Sequence, residues 1–263
     1  GVNLTLQTGG GVENVRTVGT GRLELGFTQA DIAYFGTRGG REFGANSFDL
    51  RLFAAGHFNV LHIVVAANSL VEKLEDIKGR SFIIGYPGSN TETFGRILLD
   101  VYGLTDKNTK FQWGQFEDVG VAIADGRSIG GFIVSGYPAG AVMNLASTHP
   151  IRLLPVEKEK MKDIIKEYPY LESTVIPAGT YDGQDEDIPV IGGQAYVVVH
   201  KDMDEGLVYQ MAKALFEHND ELTAVHPEGA KWTAEAASKE LTIPLHPGVE
   251  RYLNEIRLKG ELQ

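Results

Sequence analysis

The sequence predicts an α/β protein of two lobes, and two features of the chain support this prediction. Short β-rich apolar runs alternate with amphipathic helical segments, which is typical of βαβ units and of parallel strand pairing. Many of the 32 glycines stand at the ends of apolar runs, where α/β proteins turn from a strand into a helix. In each lobe we therefore expect a mainly parallel sheet flanked by helices.

The periodicity of the apolar residues gives the elements in two series. The first series predicts strands at 2–7, 23–28, 50–56 and 61–67, and helices at 12–18, 30–35 and 71–77. The second series predicts strands at 81–84, 111–113, 131–134 and 151–155, and helices at 91–102, 118–124, 139–147 and 160–168.

The rest of the chain predicts how the lobes are divided. Residues 176–193 are rich in Gly, Asp and Pro and indicate an irregular connection. One strand follows at 194–200, and then only helices, the first at 204–218. A single returning strand indicates a discontinuous first lobe, residues 1–79 and 190–263, and a contiguous second lobe, residues 80–189. We expect a ligand cleft between these lobes.

Composition excludes several classes of function. The formal net charge is −11 and no run of Lys or Arg offsets it, so nucleic acid is not an expected partner. The absence of cysteine excludes disulfides, thiolate metal sites and Cys nucleophiles. Apolar runs are strand-sized, which predicts no membrane span, and no signal peptide precedes the first predicted strand.

Three loops share one construction: an apolar strand, a short loop rich in Gly, Ser, Asn or Thr, and a helix start. Free N–H groups at a helix N-terminus bind anions, and glycine lets a ligand approach the backbone. We predict that the loops bind one carboxylate-bearing solute from both lobes. The first loop comprises Thr8, Gly9, Gly10 and Gly11 with Asn14 behind it, the second Pro87, Gly88, Ser89, Asn90 and Thr91, and the third Ser135, Gly136 and Tyr137.

A capped helix start is the alternative explanation of each loop. Thr8, Ser89, Asn90 and Thr91 are all good N-cap residues, so any one loop taken singly is better explained as a cap. Three loops of the same kind, distributed over two lobes, favour a shared binding cleft.

Six segments together resemble one known family. They read TGGGVENV at 8–15, GFTQADIAY at 26–34, PGSNT at 87–91, GYP at 136–138, IPAGTY at 176–181 and PLHPG at 244–248. In this order, from end to end, the segments are similar to those of TAXI-type solute-binding proteins of tripartite TRAP transporters. The resemblance implies a type II periplasmic-binding-protein-like fold, glutamate or a related amino acid or dicarboxylate as ligand, and a periplasmic receptor. Its partners would be the membrane subunits of an ion-driven symporter, and no cofactor is implied.

The chain departs from that family at its beginning. Members normally start with an earlier strand, a Gly-rich turn and a helix, whereas this chain starts at what corresponds to their second strand. We therefore expect a fragment whose ligand shell lacks one contribution and whose first lobe exposes a strand edge.

Several single residues are further candidates for the cleft. Gln29 could donate to a ligand carboxylate and Asp31 could accept from an α-ammonium, or Asp31 could cap a helix. Tyr34 and Tyr137 offer a ring and a hydroxyl group, although tyrosine is equally common in a core, and Tyr137 is the better candidate.

The arginine and histidine residues are weaker candidates for a binding site. Arg16 and Arg96 could pair with a distal carboxylate, but solvated helix faces explain both better. The seven histidines include no His-x-x-x-His pair, so we predict no metal site.

Catalytic motifs are missing, since the sequence contains no Walker A, Gly-x-Ser-x-Gly or His-Glu-x-x-His motif. The sequence thus predicts a receptor rather than an enzyme. Two alternatives stay open: a ligand-sensing module of a signalling system, and an enzyme on a periplasmic-binding-like scaffold.

Overall fold

The computed structural model describes residues 5–239, 241–260 and 262. The strands are β1 Leu25–Gln29, β2 Leu50–Ala66, β3 Ser81–Ile83, β4 Lys110–Gln112, β5 Gly130–Ser135, β6 Ile151–Leu153, β7 Glu172–Ile176 and β8 Ile188–His200. The α-helices are α1 Gly11–Gly19, α2 Ala30–Arg38, α3 Asn90–Val101, α4 Phe116–Ala124, α5 Gly140–Thr148, α6 Lys158–Glu167, α7 Glu205–Glu217, α8 Asn219–Val225 and α9 Pro247–Leu258. Short 3₁₀ helices span Arg41–Phe43, Leu74–Ile77, Pro227–Lys231 and Ala236–Ser238.

The chain divides into two compact units. Unit 1 consists of Gly1–His57 and Ala195–Gln263, and unit 2 of Phe58–Gln194. The chain passes from one unit to the other within β2 and again within β8. The sequence predicted boundaries after residues 79 and 189 instead. The first boundary differs because β2 continues without a break to Ala66, where two separate strands were predicted.

Unit 1 buries its core between a small sheet and the C-terminal helices. β1 pairs antiparallel with the second half of β8, from Leu25 opposite Val199 to Gln29 opposite Ala195. Val197 and Val199 of that sheet pack with Val208 of α7 and Leu253 of α9. α7 and α9 approach each other closely. A Cβ atom on Gly248 of α9 would lie only 2.5 Å from the Glu205 carbonyl oxygen of α7, so glycine permits this contact.

Unit 2 contains a mixed sheet. β3 pairs parallel with β4 and β5, whereas β2 pairs antiparallel with β5 and β6, and β7 pairs antiparallel with the first half of β8. The buried core includes Val60, Ile83, Val119 and Ile133. The predicted α/β class is confirmed, and the fold is that of periplasmic solute-binding proteins. The sheet is mixed rather than mainly parallel, because β2 enters unit 2 as a continuing strand and not through a helical crossover.

Two other expectations about the elements were wrong. No strand forms at residues 5–7, where Leu6 is 89% exposed, and residues 2–4 of that predicted strand lie outside the described residues. The irregular connection predicted at 176–193 shrinks to 177–187, because β7 precedes it and β8 already begins at residue 188. β7 was missed because only one of its five residues, Ile176, is buried, so its sequence carries little apolar pattern.

Most predicted helices form close to their predicted bounds. α1, α3, α5 and α7 each begin and end within two residues of the prediction. The stretch predicted at 71–77 is a 3₁₀ helix, Leu74–Ile77. Within the described part of the chain, no helix is both long and apolar enough to cross a membrane.

Candidate functional site

The first loop leads into α1 in unit 1. Thr8, Gly9 and Gly10 are exposed and Gly11, the first residue of α1, is half-buried. Gly10 is the N-cap residue of α1 and has no side chain that could cap the helix. The N–H groups of the first turn therefore stay available for an anion.

Asn14 serves the geometry of this loop. Its side-chain Nδ2 donates to the Phe27 carbonyl oxygen of β1 at 2.8 Å. The Thr28 hydroxyl donates to the Gly11 carbonyl oxygen at 3.3 Å, so the start of α1 is joined to the end of β1. A Cβ atom on Gly9 would lie 2.4 Å from Asn14 Oδ1, so a larger residue at this position would require the Asn14 side chain to shift. In this conformation Asn14 Nδ2 contacts β1 and positions the loop.

Gln29 and Asp31 lie where β1 passes into α2, also in unit 1. They are 3% and 1% exposed. The Gln29 Oε1 atom and both Asp31 carboxyl oxygens have no hydrogen-bond partner of full geometry among the described residues. Asp31 does not cap α2, whose N-cap is Gln29 without a side-chain bond from any described residue. Both side chains are therefore buried acceptors beneath the surface of unit 1.

Burial changes the acidity of Asp31. Desolvation raises the pKa of the Asp31 carboxyl to about 7, with a weaker raising effect of the Glu42 charge, while the Ile32 N–H opposes the shift. The carboxyl group thus changes its charge near neutral pH, in a place where the charged form lacks a strong donor.

The second loop leads into α3 in unit 2 and is largely satisfied by its own side chains. The Ser89 hydroxyl caps α3 by accepting from the Glu92 N–H at 3.2 Å, and the Gly88 N–H donates to Glu92 Oε2 at 2.9 Å. The buried Thr91 hydroxyl accepts from the Val134 N–H at 3.3 Å. Pro87 is exposed and Asn90 half-buried. The alternative explanation, a capped helix start, describes this loop well.

The third loop connects β5 to α5, also in unit 2. Ser135, Gly136 and Tyr137 are half-exposed, and Tyr137 packs against the hydrophobic core of this unit. Ala139 is the N-cap of α5 and, among the residues described, no side chain caps the first turn from the N-cap position. The Ala139 N–H itself donates to the Tyr181 hydroxyl oxygen at 2.8 Å.

The remaining candidates have partners of their own. Arg16 donates to the Glu42 carbonyl oxygen, and Arg96 lies 3.3 Å from Asp106 Oδ2. The Arg38 guanidinium lies 4.1 Å from the centroid of the Tyr34 ring. Among the described residues there is no group of three or more His, Cys, Asp or Glu residues that could hold a metal ion.

Sequence reasoning missed His62 and Tyr181. His62 Nε2 and the Tyr181 hydroxyl are 2.8 Å apart in the interior of unit 2. Tyr181 ends the IPAGTY segment, which was a usable signal, but no local pattern reveals that its hydroxyl group reaches α5.

The chain is similar to proteins of known fold. Residues 1–256 match the model of the NMT1-like family. The periplasmic aliphatic sulphonate binding protein SsuA of Escherichia coli is 16% identical with a TM-score of 0.53, over 93% of this chain and 70% of that one. The periplasmic sulfonate-binding protein SsuA of Methylobacillus flagellatus is 14% identical with a TM-score of 0.52, over 95% and 80%. A Xanthomonas citri protein bound to ATP is 12% identical with a TM-score of 0.51, over 98% and 86%. At these identities the likeness shows the fold.

Asp31 makes the stability of the protein dependent on pH. Because the pKa of Asp31 is raised from 3.8 to about 7, the folded state binds more protons than the unfolded state between these values. Asp31 therefore lowers the free energy of unfolding as the pH rises from about 4 to about 7, by up to about 1.4 kcal/mol per pH unit. We expect Asp31→Asn to remove this loss, as measured by urea denaturation across the same pH range.

The matched control for this experiment is Asp182→Asn, which removes the same charge from an exposed position in the 177–187 connection. Its pH profile should follow the wild type. Parallel profiles of Asp31→Asn and wild type would contradict the buried, neutral carboxyl group.

Proposed function

The chain belongs to the NMT1-like family, and from that premise we propose that it is an extracytoplasmic, periplasmic solute receptor. In this proposal the two units are lobes that close on a small anionic solute, deliver it to a membrane transporter and leave it chemically unchanged. The fold supports the proposal, since structures of this fold include periplasmic binding proteins. The observation that carries it is that each unit contains a helix whose described N-cap residue makes no side-chain cap. These helices are α1 in unit 1, with Gly10 as N-cap, and α5 in unit 2, with Ala139 as N-cap.

The three loops contribute differently to the proposed site. The first turns of α1 and α5 each present backbone N–H groups and the positive end of a helix dipole, which stabilise a carboxylate. In the second loop, the Gly88 N–H and the Ser89 hydroxyl already form hydrogen bonds with Glu92 that cap α3. Gln29 and Asp31 are buried in this conformation, so a solute contacts them only after the neighbouring residues move.

The solute that we propose is glutamate or a related amino acid or dicarboxylate. The resemblance to TAXI-type receptors supports this class, because it extends over six segments in order along the chain. Two of the similar structures are described as binding sulfonates. Carboxylate and sulfonate share an anionic head group of two or three oxygen acceptors, which suits free N–H groups at a helix start. An experiment must therefore separate the two head groups.

We expect calorimetric titration to detect binding of glutamate, 2-oxoglutarate or succinate in preference to ethanesulfonate, because the proposed ligand carries a carboxylate. Mass spectrometry of the bound compound should recover it unchanged, as a receptor without catalysis requires. Preference for ethanesulfonate would overturn the carboxylate class, and conversion of the compound would overturn the receptor. Lack of binding to every compound of the panel would overturn the proposed function.

Removal of one N–H group at each proposed helix start tests the site itself. Proline at the first helical position removes that N–H without breaking the helix, and Gly11 and Gly140 are the first residues of α1 and α5. A hydrogen bond to a charged group contributes about 1.5–3 kcal/mol, so we expect Gly11→Pro and Gly140→Pro each to weaken binding about tenfold or more. Calorimetry with the best ligand of the panel measures this loss.

Lys158→Pro is the matched control, because Lys158 is the first residue of α6, which lies outside the proposed site. Its affinity should equal that of the wild type. Unchanged affinity in Gly11→Pro and Gly140→Pro, with both proteins folded by circular dichroism, would remove these helix starts from the site.

The proposed partners are the membrane subunits of a TRAP transporter. An ion-driven symporter takes up solute along an ion gradient and does not consume ATP. We expect uptake into proteoliposomes that contain these subunits and this receptor to require an imposed ion gradient and to continue without internal ATP. Uptake that depends on ATP would contradict the TRAP assignment and indicate a transporter of the ATP-driven type.

A further inference from the structure

A chain of four buried groups brackets the third loop within unit 2. The Ala139 N–H donates to the Tyr181 oxygen at 2.8 Å, the Tyr181 hydroxyl lies 2.8 Å from His62 Nε2, and His62 Nδ1 lies 3.1 Å from the Ile133 carbonyl oxygen. Ile133 precedes the loop on β5, and Ala139 follows it at the start of α5. Both ends of the loop are therefore held by one pair of side chains.

The direction of each of these three hydrogen bonds follows from the two backbone groups at the ends of the series, the Ile133 carbonyl oxygen and the Ala139 N–H. A carbonyl oxygen only accepts, so His62 Nδ1 carries the proton and Nε2 accepts from the Tyr181 hydroxyl. The Tyr181 oxygen then has a lone pair for the Ala139 N–H. This arrangement needs a neutral imidazole and a protonated phenol, and burial lowers the pKa of His62 to about 4 and raises that of Tyr181 to about 12.

Tyr181 is itself held firmly, although it belongs to the irregular 177–187 connection. The Gln184 side chain accepts from the Tyr181 N–H at 3.3 Å and donates to the carbonyl oxygens of Pro177 and Glu186 at 2.9 and 2.8 Å. The Tyr181 ring is 5% exposed and meets the His62 ring edge-on, with 5.7 Å between centroids. The connection therefore presents the hydroxyl group from a fixed position.

We propose that His62 and Tyr181 are positioning residues for the third loop, and that their hydrogen bonds aim the first turn of α5 at the solute. This inference rests on the proposed function, in which that turn binds the anion. The pair touches the backbone on both sides of the loop and not the solute. Without the Tyr181 hydroxyl, the buried Ala139 N–H has lost its acceptor, and the loop gains freedom that binding must then remove.

Tyr181→Phe tests the inference, because it removes one hydroxyl group and keeps the ring. We expect amide hydrogen exchange of residues 136–141 to rise about tenfold, while exchange of residues 88–93 in the same unit stays at the wild-type rate. We also expect the affinity for the best ligand of the glutamate, 2-oxoglutarate and succinate panel to fall about tenfold. A general loss of core stability would raise exchange in both segments by the same factor and would overturn the inference.

His62 provides a second, independent pair of variants. His62→Gln places a side-chain carbonyl oxygen near the former Nε2 position, where it accepts from Tyr181. Exchange of residues 139–141, at the Ala139 end of the loop, and the affinity should therefore stay closer to wild type than in His62→Leu. His62→Leu leaves the Tyr181 hydroxyl without an acceptor and the Ile133 carbonyl oxygen without its side-chain donor, whereas the Ala139 N–H keeps its acceptor. This variant should therefore raise exchange and weaken binding in the same direction as Tyr181→Phe, but by a smaller factor. Tyr102→Phe is the matched control, because Tyr102 accepts from the Glu157 N–H at 3.2 Å elsewhere in this unit.

The outcomes separate the two proposals. Unchanged exchange or unchanged affinity in Tyr181→Phe overturns the positioning role while the receptor function stands. A wild-type protein that binds no compound of the panel overturns the receptor function. In that case the exchange rates of residues 136–141 in the Tyr181→Phe and His62 variants still support or overturn the anchoring of the loop.

Discussion

Backbone N–H groups at the starts of helices need acceptors, and this demand shapes both units. A helix begins with N–H groups that its own carbonyl oxygens cannot reach. In α3 the Ser89 hydroxyl and the Glu92 carboxylate satisfy the demand locally. At the start of α5 the Tyr181 hydroxyl accepts from the N–H of Ala139, the residue just before the helix. Ala139 is the N-cap residue, and its own side chain does not cap the first turn. In α1 glycines without side-chain acceptors lead into the helix.

Two buried polar centres, around His62 and around Asp31, are built in opposite ways. Around His62 each donor meets an acceptor, so the network stabilises one arrangement of strand, connection and loop. Around Asp31 the carboxyl oxygens and the Gln29 amide oxygen are acceptors without strong donors from the described residues. A buried unsatisfied group costs about 1–3 kcal/mol. Protonation of the Asp31 carboxyl, whose pKa burial raises to about 7, removes the charge that this place would leave without a strong donor.

The family match and the sequence resemblance support conclusions of different detail. The family match and the similar structures establish a solute-binding protein fold for this chain. The resemblance of six segments to TAXI-type receptors is narrower, and glutamate and the TRAP partners rest on it as proposals. The three loops were found from sequence because glycine and N-cap residues mark helix starts in any α/β protein. The same residues fit a cap and a ligand site, and only the partners of Gly88 and Ser89 assign the second loop largely to its own cap.

By itself, the sequence determined what local periodicity and composition encode: the α/β class, the positions of α1, α3, α5 and α7, and the helix starts that carry the proposed site. Tertiary structure decided what depends on distant residues. β2 runs as one strand from Leu50 to Ala66, and its residues 60–65 pair with β5, which is distant along the chain. The Ala139 N–H and Tyr181 are 42 positions apart and His62 and Tyr181 are 119 apart. No periodic pattern spans such separations, so only the folded chain reveals which hydroxyl group holds the third loop.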